Sequence, residues 1–249
     1  MAYFMVQHQN DIYVEPPSAA HLPPTVTPGQ PTVNTTIKSS VLRAIAQDRT
    51  EDVPHLVSVI RLAKGNPSVP EMRHLLHISE SASGLVAIAD RSGFVPLCEQ
   101  LCCQSHECAA AAEIILERLS QDQRWAKALA KALTSILTAA RDISQLRRAT
   151  STLLAFVMGG TENGEAFVYN LGAVDALVPL LGAPDIQVRQ NALVVAHKLC
   201  GDVIGTTVRI EACGGRLLLL KTLLGCAGEH EKATALDLVL SLPGGRHKV

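Results

Sequence analysis

Aromatic residues make up only 3% of this 249-residue chain, and tryptophan occurs once. With 47% apolar residues, the core must be built from leucine, valine, isoleucine and alanine, which suits close helix packing. Charge of one sign is also missing. Lysine plus arginine number 22 against 23 aspartates and glutamates, a net charge of −1. No global attraction to nucleic acid or to an anionic membrane follows from that balance, so no direct nucleic-acid partner is expected. Long hydrophobic runs are absent too. The most apolar stretch, Leu217 to Ala227, contains Lys221 and is too short to span a bilayer. The N-terminus lacks a basic region followed by an apolar run, so neither a signal peptide nor membrane insertion is expected.

Catalytic signatures are equally scarce. Gly159-Gly160-Thr161-Glu162-Asn163-Gly164 lacks the lysine of a phosphate loop and follows a helical pattern rather than a strand. No Gly-x-Ser-x-Gly or His-Glu-x-x-His occurs, and nothing near His74 and His77 supplies a nucleophile. The seven cysteines are odd in number, irregularly spaced and mostly set in helical patterns, which reads as buried thiols in a reducing compartment. Cys98, Cys102, Cys103, Cys108 and His106 cluster, but no second pair of closely spaced ligands accompanies them, as a structural zinc site requires. The expectation is a non-enzymatic protein without metal or cofactor, located in the cytoplasm.

What is present is a unit of about forty residues that recurs along the chain. Its clearest copy runs from Asn163 to Asp202 and a second from Ser83 to Asp122. In both, a glycine near the end of a short helix precedes an apolar helix, a polar turn and a longer helix rich in alanine and leucine. The central leucines of the middle helices are read as Leu56, Leu97, Leu133, Leu177 and Leu220. Such a period with two or three helices per unit indicates an armadillo or HEAT solenoid. One unit cannot bury its apolar face alone, so neighbours must stack. The fold class predicted is all-α, a right-handed armadillo-like solenoid of about five repeats over residues 37–249. Residues 1–36, with prolines at 16, 17, 23, 24, 28 and 31 and little helical periodicity, are expected to form a disordered tail. The third repeat is the most degenerate, because no glycine precedes Trp125 to Arg141.

Leu75 to Leu101 (LLHISESASGLVAIADRSGFVPLCEQL) resembles an armadillo repeat of β-catenin or plakoglobin. The shared elements are Leu-His-Ile-Ser closing a third helix, then Gly84 to Ile88 and Ser92 to Leu97. Gly172-Ala173-Val174-Asp175-Ala176-Leu177 fits the broader armadillo pattern. The chain departs from β-catenins in carrying five repeats rather than about twelve. It also lacks an Asp-Ser-Gly phosphodegron and a recognisable α-catenin-binding helix.

The resemblance implies that the third helices line a groove holding extended peptides. Just before the apolar residue that closes each third helix stand His77, Arg118, Phe156 and Lys198. One turn earlier come Arg73, Ile114, Thr152 and Val194, and two turns back Arg148 and Asn191. Importin-α-type receptors place tryptophan and asparagine in such rows. Trp125 lies outside them, which disfavours a nuclear-import receptor. The candidate groove residues are therefore Arg73, His77, Arg118, Arg148, Phe156, Asn191 and Lys198, a partly basic set suited to acidic partners. By resemblance those partners are cadherin tails or transcription-factor segments, implying roles in adhesion or Wnt-type signalling at junctions and in the nucleus. The alternative is a generic armadillo adaptor, cytoskeletal, ciliary or in transport. Leu217 to Leu220 and the leucines of the last helix cover too many faces for one buried stripe, so either another subunit packs there, giving self-association through the fifth repeat, or the chain is a fragment of a longer solenoid.

Overall fold

The computed structural model describes residues 48–62, 69–225 and 228–244. The expected tail over 1–36 and the helical pattern that begins at Ile37 lie outside the described residues. Within them all regular structure is helical, thirteen α-helices and three short 3-10 helices. No single described helix is long and apolar enough to cross a membrane.

Repeat one contributes α1 (Val53–Leu62) and α2 (Val69–Ile78). Repeat two has three helices, α3 (Ala82–Asp90), α4 (Phe94–Leu101) and α5 (His106–Ser120). Repeat three has α6 (Ala126–Ala139) and α7 (Ile143–Met158), preceded only by the 3-10 turn Gln123–Trp125. Repeat four comprises α8 (Thr161–Val168), α9 (Ala173–Leu177) with its 3-10 continuation Val178–Gly182, and α10 (Ile186–Asp202). Repeat five comprises α11 (Thr206–Ala212), α12 (Gly215–Leu224) and α13 (Glu229–Ser241). The third helices α2, α5, α7, α10 and α13 pack one upon the next, as do the second helices.

The stacking follows from the apolar stripes. Leu56, Leu97, Leu133 and Leu177 are all buried in one continuous core. In repeat five the equivalent residue is Leu219, fully buried, and not Leu220, which is 40% exposed. Four consecutive leucines hide the register there, because hydropathy is the same on every side of the turn.

Caps set where the third helices begin. The side chains of Ser105, Asp142 and Asp185 accept from the backbone N–H groups of Cys108, Gln145 and Val188 at 3.3, 2.9 and 3.1 Å. Between first and second helices the chain reverses through a left-handed residue, Gly172 and Gly214 at φ 79° and Ser92 at 57°. A close approach explains Gly84, where a Cβ would lie 2.0 Å from the Ile78 carbonyl oxygen. Side-chain size at that position thus limits how tightly repeat two follows repeat one.

Candidate functional site

The face presented by the third helices is built over a ladder of polar contacts that join one repeat to the next. Arg73 of α2 pairs with Glu107 in the first turn of α5. Arg147 of α7 binds Asp185, the cap of α10, through both carboxylate oxygens, with Nη2 2.6 Å from Oδ2. Arg189 of α10 meets Glu231 in the first turn of α13 at 3.0 Å, and this pair is nearly shielded from solvent, with side chains 13% and 4% exposed. The rule is simple: an arginine early in one third helix reaches a carboxylate at the start of the next. Its signal in the sequence is an acid at the start of a third helix, roughly one repeat after an arginine. Between α5 and α7 the pattern changes. There Arg148 donates to the carbonyls of Leu101 and Cys103, both at 3.2 Å, and Gln145 to that of Cys102.

Most residues expected to line a basic groove belong to this framework. Arg118 donates to the Leu76 carbonyl at 3.1 Å and to the Ser79 hydroxyl at 2.7 Å, clamping α5 onto the end of α2. Asn191 is buried and spans to Thr150 at 3.3 Å while accepting from Gln187 at 2.9 Å. Lys198 pairs with Asp202 of its own helix at 2.8 Å, and His77 lies 3.2 Å from Glu80. Only Arg73, His77 and Lys198 of the set reach well into solvent, each with a carboxylate beside it.

Phe156 requires correction. It is 1% exposed and closes α7 in the core, the place held by Leu119 in α5 and Leu199 in α10, both fully buried. The residue in register with Arg118 and Lys198 is Ala155. Six apolar residues in succession, Leu153 to Met158, obscured a shift of one position.

What remains open to a ligand is mixed in character. Ile114 is 40% exposed, and Glu117 lies exposed one turn below it on α5. Met158 and His197 continue the open surface on α7 and α10, and Val194 is half-buried beside them. Among the described residues, Glu117 and His197 have no ion-pair partner. Burial pushes the Cys98 thiol far up and Cys200 up to about 11, so both stay protonated. Among the described residues, no group of three or more His, Cys, Asp or Glu could hold a metal ion.

These stacked helical units form an armadillo-like solenoid. No family model matches the chain, and no curated protein matches it in sequence. Solved structures do match in fold. A computationally designed armadillo repeat protein for modular peptide recognition superposes with a TM-score of 0.57 at 16% identity, covering 84% of this chain and 94% of that one. A designed armadillo repeat protein in complex with the peptide (KR)4 gives 0.56 at 17% identity, covering 85% and 95%. An engineered protein gives 0.55 at 24% identity, covering 76% and 78%.

Proposed function

We propose that this protein is a non-enzymatic binding scaffold that holds an extended peptide segment along the third-helix face. The observation that carries this reading is the division of labour on that face. Arg118, Arg147, Arg189 and Asn191 tie each third helix to a neighbouring one and Arg148 ties α7 to the end of α4, while Ile114 and Glu117 in repeat two and Val194 and His197 in repeat four stay available. A preformed row loses little entropy on binding, and an extended peptide can satisfy it at regular intervals. The solved armadillo designs named for peptide recognition use the same fold.

The β-catenin-like reading, with acidic cadherin-tail or transcription-factor segments as ligands and roles in adhesion or Wnt-type signalling, stands second. It rests on the resemblance of Leu75 to Leu101, and the cations that suggested it already have partners inside the chain. An acidic ligand would have to displace Asp202 from Lys198 and Glu107 from Arg73. The structure therefore favours a ligand of apolar and neutral or basic character. A generic armadillo adaptor fits that chemistry equally well.

An array of ten-residue peptides of random composition, probed with the full chain, tests both readings. The expected result is a set of bound peptides, poor in aspartate and glutamate, whose binding falls at least tenfold with Ile114→Glu or Val194→Glu at unchanged melting temperature. Enrichment in acidic peptides would favour the β-catenin-like reading. Binding indifferent to both substitutions would remove the third-helix face as the site.

A further inference from the structure

The layer of first helices has a gap. Repeats two, four and five open with helices of 9, 8 and 7 residues. Repeat three opens with the 3-residue turn Gln123–Trp125 alone. Two adjoining cavities, which share Gln123 in their walls, mark the place where a helix would stack. One, of about 560 Å³, lies between α3 and the turn and is faced by Ala82, Leu85, Val86 and Trp125. The other, of about 670 Å³, lies between the start of α6 and α8, where Glu162, Glu165 and Tyr169 look across at Lys127.

The two flanks differ in chemistry. On the α3 side the surface is apolar, and its charges are already engaged. Asp122 pairs with Arg124, which stacks over Trp125 at 5.2 Å, and Arg118 is held by Leu76 and Ser79. On the α8 side the carboxylates are not neutralised. Glu162 accepts only from the neutral amide of Gln123, at 2.9 Å, and Glu165 has no ion-pair partner among the described residues. Lys127 lines the same cavity but pairs with neither among the described residues. Tyr169, 62% exposed, adds an aromatic rim.

We propose that this gap is a docking site for a two-turn amphipathic helix of a partner protein. Its apolar side rests on Leu85, Val86 and Trp125, and its lysine or arginine side chains reach Glu162 and Glu165. A helix fits because the neighbouring repeats place one at the equivalent position. At about 12 Å long and about 10 Å wide, two turns occupy a volume of the same order as the two cavities together. Basic side chains fit because two neighbouring carboxylates without a cationic partner among the described residues complement them. Residues 1–37 contain no lysine or arginine and so do not supply them. The site lies in a different layer from the third-helix face and shares none of the residues proposed to bind there.

The test uses the full chain and a fluorescein-labelled, hydrocarbon-stapled nine-residue helix with leucines on one side and arginines on the other. Anisotropy should show saturable binding. The double variant Glu162→Lys/Glu165→Lys should weaken it at least tenfold while binding the counterpart peptide in which glutamates replace the arginines. Both carboxylates are exposed, so circular dichroism should show unchanged helicity, and Glu165→Gln provides a milder variant with a smaller loss. Val194→Glu should leave this binding unaltered. Absence of saturable binding, equal binding of acidic and basic peptides by the native chain, or indifference to the charge reversal would each overturn the proposal.

Discussion

Gln100 is fully buried on α4, yet among the described residues neither its amide nitrogen nor its oxygen has a hydrogen-bond partner. The corresponding positions are Leu180 in repeat four and Thr222 in repeat five, where the Thr222 hydroxyl donates to the Leu181 carbonyl at 2.9 Å. An unpaired buried amide costs about 1–3 kcal/mol, and the Leu180 example shows that an apolar side chain suits the site. Gln100→Leu should therefore stabilise the protein by about 1–2 kcal/mol, read as a higher urea midpoint at unchanged slope. A lower midpoint would show that the amide is satisfied after all. Arg118 argues in the other direction. Its two hydrogen bonds are charge-assisted and half-buried, so Arg118→Ala should destabilise by roughly 2–4 kcal/mol. Should Arg118→Ala instead leave the melting temperature intact and abolish peptide binding, its place in the framework would be wrong and the groove reading right.

At the scale of the element, the cap of α10 does two jobs, and pH separates them. The Arg147 guanidinium beside Asp185 holds its carboxyl down at about 2, helped by the N–H of Val188. A carboxyl with a depressed folded-state pKa stabilises above its ordinary value near 4 and loses that contribution as pH falls towards about 2. Asparagine keeps the capping oxygen but not the charge. Asp185→Asn should thus melt below the native chain at pH 6, and the two should converge by about pH 2. A gap that persists at low pH would assign the effect to the cap rather than the ion pair. The Arg189–Glu231 pair is the more deeply buried relative of this contact, and Arg189→Ala should cost about 3–5 kcal/mol by stranding a buried carboxylate.

How far these elements could be read from sequence depended on punctuation. Repeats two and four were legible because Gly93 and Gly172 mark the turn and a single apolar stripe follows. Repeat three was legible only as degenerate. No glycine precedes Trp125, and the structure shows why: a 3-10 turn replaces the first helix, leaving the gap. The positions of Arg73, His77 and Lys198 on exposed third-helix surface were readable from helical spacing. What long cations do with their charge was not, because it depends on a carbonyl or carboxylate in the neighbouring repeat. Arg118 and Leu76, for example, meet only through the stack.

For the whole molecule, the stack poses its sharpest question at repeat five. Val178 and Leu193 in repeat four are each 1% exposed because repeat five covers them. Their counterparts Leu220 and Leu236 are 40% and 47% exposed, and Leu217, Leu224 and Leu240 stand open at 73%, 89% and 47% on the same two helices. A solenoid face of that kind, with a layer of exposed leucines, associates with a matching helical layer. The expectation is concentration-dependent self-association through α12 and α13, visible as a rising sedimentation coefficient. Leu240→Glu should weaken it without unfolding the chain, since this side chain faces outward. Leu238, at 1% exposed, makes the opposite control: a glutamate there should unfold the last repeat. Sedimentation as a monomer at high concentration, with Leu240→Glu indistinguishable from the native chain, would overturn this expectation.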